Sequence, residues 1–222
     1  MGEGIRYIKN LVKQGEHKHL EFKRKAAHPE KIMKEVVAFA NTDGGKLLVG
    51  VDDNGDIPGL KYPEEEEYIL NKAMTELISP HVDYELKIIR LSETEDRAVL
   101  YYDIAPGVRK PYYAKEKPKD KYGKAYIRLA DKSIQASREV VSILKFHKRR
   151  DKGGFKFGEK ESKLMKYLEQ HGKITLKEYS QLAKLSMRHA SESLVTLVSS
   201  NVLHVRPNER EDEFYYNEGE HV

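Results

Sequence analysis

Four carboxylates and a lysine beside two short apolar segments have the chemistry of a hard-cation site. Glu16 precedes the alternating segment 20–23, which contains Glu21 and Lys23, whereas Asp52 and Asp53 directly follow the apolar run 46–51. Mg²⁺ and Mn²⁺ prefer oxygen ligands and usually keep several waters and a substrate phosphate. Lys23 shares the face of Glu21 and could hold a phosphate or neutralise developing charge. The predicted metal ligands are Glu16, Glu21, Asp52 and Asp53.

Simpler interpretations of these residues stay open. All the carboxylates could be solvated surface groups, because Asp-Asp-Asn-Gly at 52–55 is also ordinary turn chemistry. His17 and His19 alternate along an extended segment and could ligate a transition metal, although we favour simple exposure for both. Gly44-Gly45-Lys46 resembles a phosphate loop but lacks the Ser or Thr that should follow the lysine. We therefore predict no nucleotide cofactor.

A second group of residues has the chemistry of a polyanion surface. Between positions 109 and 128 basic residues greatly outnumber acidic ones, and tyrosines alternate with lysines. Lysines can neutralise phosphates, and tyrosine rings can stack on exposed bases. A solvated loop whose tyrosines pack on a sheet edge is the alternative, and binding is favoured over it. The predicted nucleic-acid-binding residues here are Arg109, Lys110, Lys115, Lys117, Lys119, Lys121, Tyr122, Lys124 and Arg128.

The elements that must position these residues form a mixed α/β pattern. Helical periodicity is predicted for 4–14, 29–41, 64–78 and 138–148, with Pro29 at the start of the second helix and Ser137 as the cap of the last. Strands are predicted at 20–23, 46–51, 82–91, 97–104 and 126–129, with a hairpin turn at 52–55. The fold class is therefore α+β.

The last part of the chain has a different pattern. Three helices, the third at 186–200, precede a β-hairpin, which is the element order of a winged helix, a helix-turn-helix variant. Arg188 and His189 at the start of the third helix would face a DNA groove, and Arg206 on the wing could contact phosphate. The alternative is a protein-interaction module, because acidic residues slightly outnumber basic ones here.

Several motifs in the first part resemble a known family at fixed offsets. Glu16 and the segment 20–23 are followed by Ala38-Phe39-Ala40-Asn41-Thr42-x-Gly44-Gly45 and by Leu48-x-Gly50-Val51-Asp52-Asp53-x-Gly55. Tyr126-Ile127-Arg128, Ser133 and Ser137 complete the set. Over roughly residues 5–145 the chain resembles the AlbA-like (AlbA_2) domain of Schlafen proteins and their bacterial relatives.

This resemblance implies nucleic-acid binding. In animal Schlafens it also implies metal-dependent cleavage of structured RNA by two glutamates and an aspartate. The glutamates correspond here to Glu16 and Glu21, and the aspartate falls on Asp52 or Asp53, of which we favour Asp53. With Lys23 these are the predicted catalytic residues. The animal proteins join two related lobes into a horseshoe that grips RNA. This chain has one such lobe, so the resemblance also predicts a homodimer.

Composition limits the class of protein. The chain has 222 residues, 39% of them hydrophobic and 34% charged, with a formal net charge of +4 and no cysteine. Disulfides and thiolate zinc sites are excluded. No apolar run approaches the ~20 residues of a membrane helix, and the N-terminus leads into no signal sequence. We expect a cytoplasmic protein without membrane partners.

The combined prediction is a two-domain protein whose partner is DNA or structured RNA. An AlbA-like domain spans 1–148, a linker 149–157 and a winged helix 158–218. The favoured function is a nucleic-acid-binding regulator of transcription, because a fold does not confer activity by itself. The alternatives are an Mg²⁺- or Mn²⁺-dependent endoribonuclease acting on structured RNA such as tRNA, and a scaffold whose winged helix binds protein.

Overall fold

The chain folds into two compact units. A computed structural model describes residues 3–92, 96–146 and 158–216. Its contacts divide the chain into Met1–Gln135 and Ala136–Val222. None of the helices in the described ranges is long and apolar enough to cross a membrane.

The described residues of the first unit form three helices and eight strands. Its helices are α1 (Glu3–Val12), α2 (Pro29–Asn41) and α3 (Pro63–Leu77). Its strands are β1 (Leu20–Lys23), β2 (Gly45–Val49), β3 (Ile78–Ser79), β4 (Tyr84–Arg90), β5 (Ala98–Ile104), β6 (Tyr113–Ala114), β7 (Tyr126–Leu129) and β8 (Lys132–Gln135). The mixed α+β class is confirmed, and the short strands β3, β6 and β8 add to what periodicity predicts.

A four-stranded sheet in the order β1-β2-β5-β4 organises this unit. β1 runs parallel to β2, and the other neighbours are antiparallel. Leu47 and Val49 pack in the core beneath α2 and α3, whereas Leu48 packs in the opposite core with Ile8 of α1. The continuous apolar run of β2 follows from burial on both faces of the sheet.

Both turns that flank β2 form, but the second does not lead into a strand. Gly44 has φ 77°, and a Cβ there would lie 2.7 Å from the Ile104 carbonyl oxygen, so the turn before β2 requires glycine. The 52–55 turn also forms, with a 2.8 Å hydrogen bond from the Gly55 N–H to the Asp52 carbonyl. No strand follows this turn, however, so the predicted hairpin is absent; β2 pairs instead with β1 and β5.

The Asn41 side chain binds the backbone on both sides of the basic loop, which comprises residues 115–124. Its Nδ2 donates to the carbonyls of Tyr112 and Tyr126 at 2.9 Å each, and its Oδ1 accepts from the Tyr112 N–H at 2.7 Å. The residue is buried, and these bonds satisfy three backbone groups that water cannot reach. The end of α2 thereby holds β7 and the residue before β6.

The described part of the second unit combines four helices with a small sheet. Its helices are α4 (Arg138–Phe146), α5 (Glu159–His171), α6 (Leu176–Leu182) and α7 (Met187–Ser199). Its strands are β9 (Lys173–Thr175), β10 (Leu203–Arg206) and β11 (Glu213–Tyr216), arranged in the order β10-β11-β9. The core includes Leu164, Ile174, Tyr179, Leu194 and Phe214. The three helices and the hairpin predicted for this part are therefore present.

The position of α4 differs from the predicted domain boundary. We expected this helix to close the first domain, but it packs against α7. The Ser191 hydroxyl donates to Glu139 at 2.6 Å, and the buried Val140 and Ile143 provide an apolar face. Ser137 caps the helix as predicted, accepting from the Val140 N–H at 3.0 Å. The predicted linker 149–157 lies outside the described residues.

Candidate nucleic-acid interface and carboxylate cluster

Arg128 lies at the centre of a buried ionic network. Its Nη1 donates to Glu21 Oε2 at 2.9 Å and to Glu35 Oε2 at 2.7 Å. Its Nη2 donates to the carbonyls of His17 at 2.9 Å and Asp131 at 3.1 Å. The Arg128 side chain is fully buried, so this guanidinium joins β7 to β1, α2 and the segment before β1.

Three further groups complete this network. Nη1 of Arg128 also donates to the Ser133 hydroxyl at 3.1 Å, and that hydroxyl donates to Glu35. The guanidinium lies 4.7 Å from the centre of the Phe39 ring. The Lys23 ammonium donates to the second oxygen of Glu21. Both oxygens of Glu21 are therefore bound by cations of the protein itself.

Glu35 lies close to Glu21 and to the two cations, and its pKa reflects these neighbours. Burial raises the pKa of Glu35, and the neighbouring Glu21 charge raises it further, whereas Ser133, Arg128 and Lys23 act in the opposite direction. A raised pKa in an acid means that ionised Glu35 costs stability as pH rises through that pKa. Arg128 and Lys23 therefore offset part of the cost of burying the Glu35 charge.

Glu16 borders this network from the exposed side. Its Oε1 accepts from the Phe22 N–H at 2.8 Å, which covers an edge position of β1. Burial raises the pKa of Glu16, the Phe22 hydrogen bond lowers it, and the charges of Glu21 and Asp53 raise it while Lys23 lowers it. The predicted catalytic residues thus lie close enough to influence one another.

The predicted metal ligands differ in burial and in their contacts. Across the described ranges, no three His, Asp or Glu side chains are grouped so that they could hold a metal ion. Glu21 is engaged by Arg128 and Lys23, and Asp53 is exposed. Asp52 lies 3.4 Å from Arg24 Nε, yet its Oδ1 is buried without a hydrogen-bond partner. A cation shared by Glu16, Glu21 and Asp53 would have to compete with Arg128 and Lys23 for Glu21.

His17 and His19 are partly buried rather than simply exposed. The His19 N–H donates to His17 Nδ1 at 3.2 Å, and His19 Nδ1 lies 3.1 Å from the Gly44 carbonyl. Burial lowers the pKa of His17, and the positive groups of His19, Arg128 and Lys46 lower it further. These contacts account for both histidines without a metal.

The basic loop between β6 and β7 is closed by its own backbone. Ala114 and Lys124 exchange two hydrogen bonds of 2.9 and 2.8 Å. Within the loop, the Lys117 N–H donates to Asp120 Oδ2 at 2.9 Å, and the Asp120 N–H donates to the Lys117 carbonyl at 3.0 Å. A Cβ at Gly123 would lie 2.8 Å from the Ala114 carbonyl oxygen, so glycine permits this close approach.

The side chains of this basic loop point into solvent. Lys117, Lys119 and Lys121 are exposed, and Tyr122 is 78% exposed. The Lys121 ammonium lies 5.3 Å from the centre of the Tyr122 ring. An exposed aromatic ring among lysines on an anchored loop has the components of a site for phosphates and bases.

Most of the other predicted binding residues of this unit are partly buried or form an ion pair. Lys115 is half-buried, and Lys124 lies 3.4 Å from Glu116. Arg109 is exposed, whereas Lys110 is half-buried and donates to the Thr42 carbonyl, and burial lowers its pKa. Arg128, predicted as a binding residue, is held in the buried network, because unpaired Glu21 and Glu35 charges there would be costly. We therefore assign it a structural role.

The predicted binding residues of the second unit are all exposed. Arg188 forms an ion pair with Glu192 at 2.9 Å. His189 Nδ1 lies 2.9 Å from the hydroxyl of Ser186, which caps α7. Arg206 lies 3.7 Å from Glu213.

The Schlafen, AlbA_2 family model matches residues 16–137, over half of the chain. The chain belongs to this family. A solved structure that it resembles is the DIP2311 protein from Corynebacterium diphtheriae, at 20% identity and a TM-score of 0.41; the alignment covers 69% of this chain and 34% of that protein. The search of curated proteins returned no match. Membership of the AlbA_2 family indicates a function related to nucleic acid.

Glu35 is the AlbA_2-domain residue that sequence reasoning missed. It lies on α2 next to the buried Val36, and nothing in its spacing distinguishes it from a solvated helix position. Ser133 was noted only through the family motif. The sequence did indicate that Arg128 has a buried partner, since a charged residue between the buried Ile127 and the apolar Leu129 of a strand often has one.

We predict that Arg128→Met destabilises the AlbA_2 domain by about 3–5 kcal/mol, because it removes the cation that binds the partly buried Glu35 and one of the two cations that bind Glu21. Equilibrium urea unfolding at pH 7, followed by circular dichroism, measures the loss. Arg24→Met is the matched control: this exposed arginine has one 3.4 Å ion pair, and its loss should stay within about 1 kcal/mol. Adding Glu35→Gln to Arg128→Met should recover part of the loss. Equal, small losses for both arginines would contradict the structural role of Arg128.

Proposed function

We propose that this protein is a nucleic-acid-binding regulator whose AlbA_2 domain contacts a phosphate backbone through the basic loop 115–124. The observation that carries the proposal is the display of Lys117, Lys119, Lys121 and Tyr122 on a loop anchored at both ends. Because its backbone is already ordered, the loop loses little conformational entropy on binding. Each lysine that neutralises a phosphate releases counterions, which favours association.

The second unit fits a winged helix that adds specificity to this contact. The order α5, β9, α6, α7 and the β10–β11 hairpin supports this assignment. Arg188 and His189 stand exposed in the first turn of α7, where a recognition helix reaches base edges. The Glu192 carboxylate beside Arg188 opposes phosphate binding, so DNA contact requires that ion pair to open. A protein partner is the alternative for this unit.

Binding is favoured over cleavage because Glu21 is buried and already paired with two cations of the protein. A catalytic carboxylate must be able to reach the reacting groups. Glu21 is buried and contacts both Lys23 and Arg128. Its role in holding the network together is sufficient to explain its presence.

We expect Lys117→Glu with Lys121→Glu to weaken binding to DNA duplexes and RNA hairpins and to reduce the salt dependence of that binding. Each lost phosphate contact should lower the slope of log affinity against log salt by roughly 0.7–0.9. Fluorescence anisotropy over a series of salt concentrations measures both quantities. The matched control is Lys31→Glu with Lys61→Glu, which makes the same change in net charge at exposed lysines outside the loop. An identical slope in the loop variant and the wild type would place the interface elsewhere.

A metal-dependent endoribonuclease is the second candidate. Two observations favour it: the charges of Glu21, Lys23 and Asp53 all act on Glu16, and Asp52 Oδ1 has no hydrogen-bond partner. The test is incubation with tRNA and Mn²⁺. Glu16→Gln and Asp53→Asn are better probes than Glu21→Ala, because Glu21 supports the buried network. Cleavage that both variants abolish while still binding tRNA would establish the nuclease; absence of cleavage by the wild type would leave the binding function.

A further inference from the structure

The outer edge of β4 is open in this structure. β4 has seven residues and pairs along its whole length with β5, and in the described part of the chain no strand pairs with its other side. Glu85, Lys87, Ile88 and Arg90 are exposed. A regular edge strand of this length presents unpaired backbone groups that can pair with another strand.

The direction of these backbone groups follows from the β4–β5 ladder. The Asp83 carbonyl accepts from Ala105 at 3.3 Å, and the Leu91 N–H donates to Arg97 at 2.9 Å. Odd-numbered residues therefore bond toward β5, because hydrogen-bonded pairs alternate in an antiparallel ladder. The N–H and C=O groups of Tyr84, Leu86 and Ile88 consequently point outward.

We infer that β4 pairs with β4 of a second copy of this chain, antiparallel and about a two-fold axis at Leu86. In this register Leu86 lies opposite its own counterpart as a hydrogen-bonded pair, and Tyr84 lies opposite Ile88. Glu85 lies opposite Lys87 of the other copy, and the symmetry gives this pair twice. Two-fold contacts must be self-complementary in this way.

The charges on β4 favour this register over its neighbour. Within β4–β5, Glu85 lies opposite Asp103, a like charge that is unfavourable at that position. In the described ranges neither Glu85 nor Lys87 forms an ion pair. An axis at Leu86 supplies each with an opposite charge, whereas an axis at Lys87 would place two lysines face to face.

The apolar side chains also suit this pairing. Tyr84 and Leu86 are partly buried against the core beneath α3, and Ile88, on the same face of the strand, is 39% exposed. Pairing would cover Ile88 with Tyr84 of the other copy. The two four-stranded sheets would become one sheet of eight strands. This inference does not rest on the proposed function, since the dimer forms without nucleic acid.

The test uses light scattering coupled to size exclusion at micromolar protein concentration and without nucleic acid. The wild type should have twice the mass of the 25.7 kDa chain. Glu85→Lys and Lys87→Glu should each give monomers, because each creates two like-charge pairs. An equimolar mixture of the two variants should give a heterodimer, since one copy then carries lysines and the other glutamates at both positions. Glu76→Lys, at an exposed α3 position, is the control and should stay dimeric.

Two results would overturn the inference. A wild type with the mass of one chain would exclude the dimer. A wild-type dimer that persists in both single variants would place the interface on another surface. Recovery of a dimer in the mixture, but in neither variant alone, cannot come from misfolding and would identify the β4 register. Circular dichroism of each variant checks folding independently.

Discussion

A single buried guanidinium ties together the parts of the AlbA_2 domain that are distant in sequence. Arg128 on β7 binds Glu21 on β1, Glu35 on α2 and the carbonyl of His17. Burying charges is expensive unless each is paired and hydrogen-bonded. The network meets this condition for both carboxylates, and removing Arg128 would take away the cation bound to Glu35 and one of the two bound to Glu21. Its geometry therefore constrains where β7 lies against the sheet.

This constraint has a consequence for the basic loop. The loop leaves β6 and enters β7, and β7 is held by Arg128 on one side and by the Asn41 amide through the Tyr126 carbonyl. The Ala114–Lys124 hydrogen bonds then close the loop above these anchors. Buried polar groups thus hold in place a loop that carries exposed cations. The buried charges and the exposed charges have different roles. The buried set is structural, and the exposed set can reach a polyanion.

The periodicity of apolar residues was enough to predict the main strands and helices. Leu20 and Phe22 lie in one core and Glu21 faces the other, as the period of two requires. The same rule could not distinguish a surface arginine from a buried one, so Arg128 was grouped with the basic loop. Glu35 gave no signal because its partner is 93 residues away. The placement of α4 depends on packing against α7, and the composition of the segment after it suggested a different boundary.

The most direct test of the central claim is a lysine-acetylation footprint of the protein bound to nucleic acid, measured by mass spectrometry. Lys117, Lys119 and Lys121 are exposed in the free protein, as are the reference residues Lys31 and Lys61. Saturating RNA or DNA should slow modification of the three loop lysines and leave both reference lysines unchanged. Unaltered modification of the loop lysines in a saturated complex would contradict the claim.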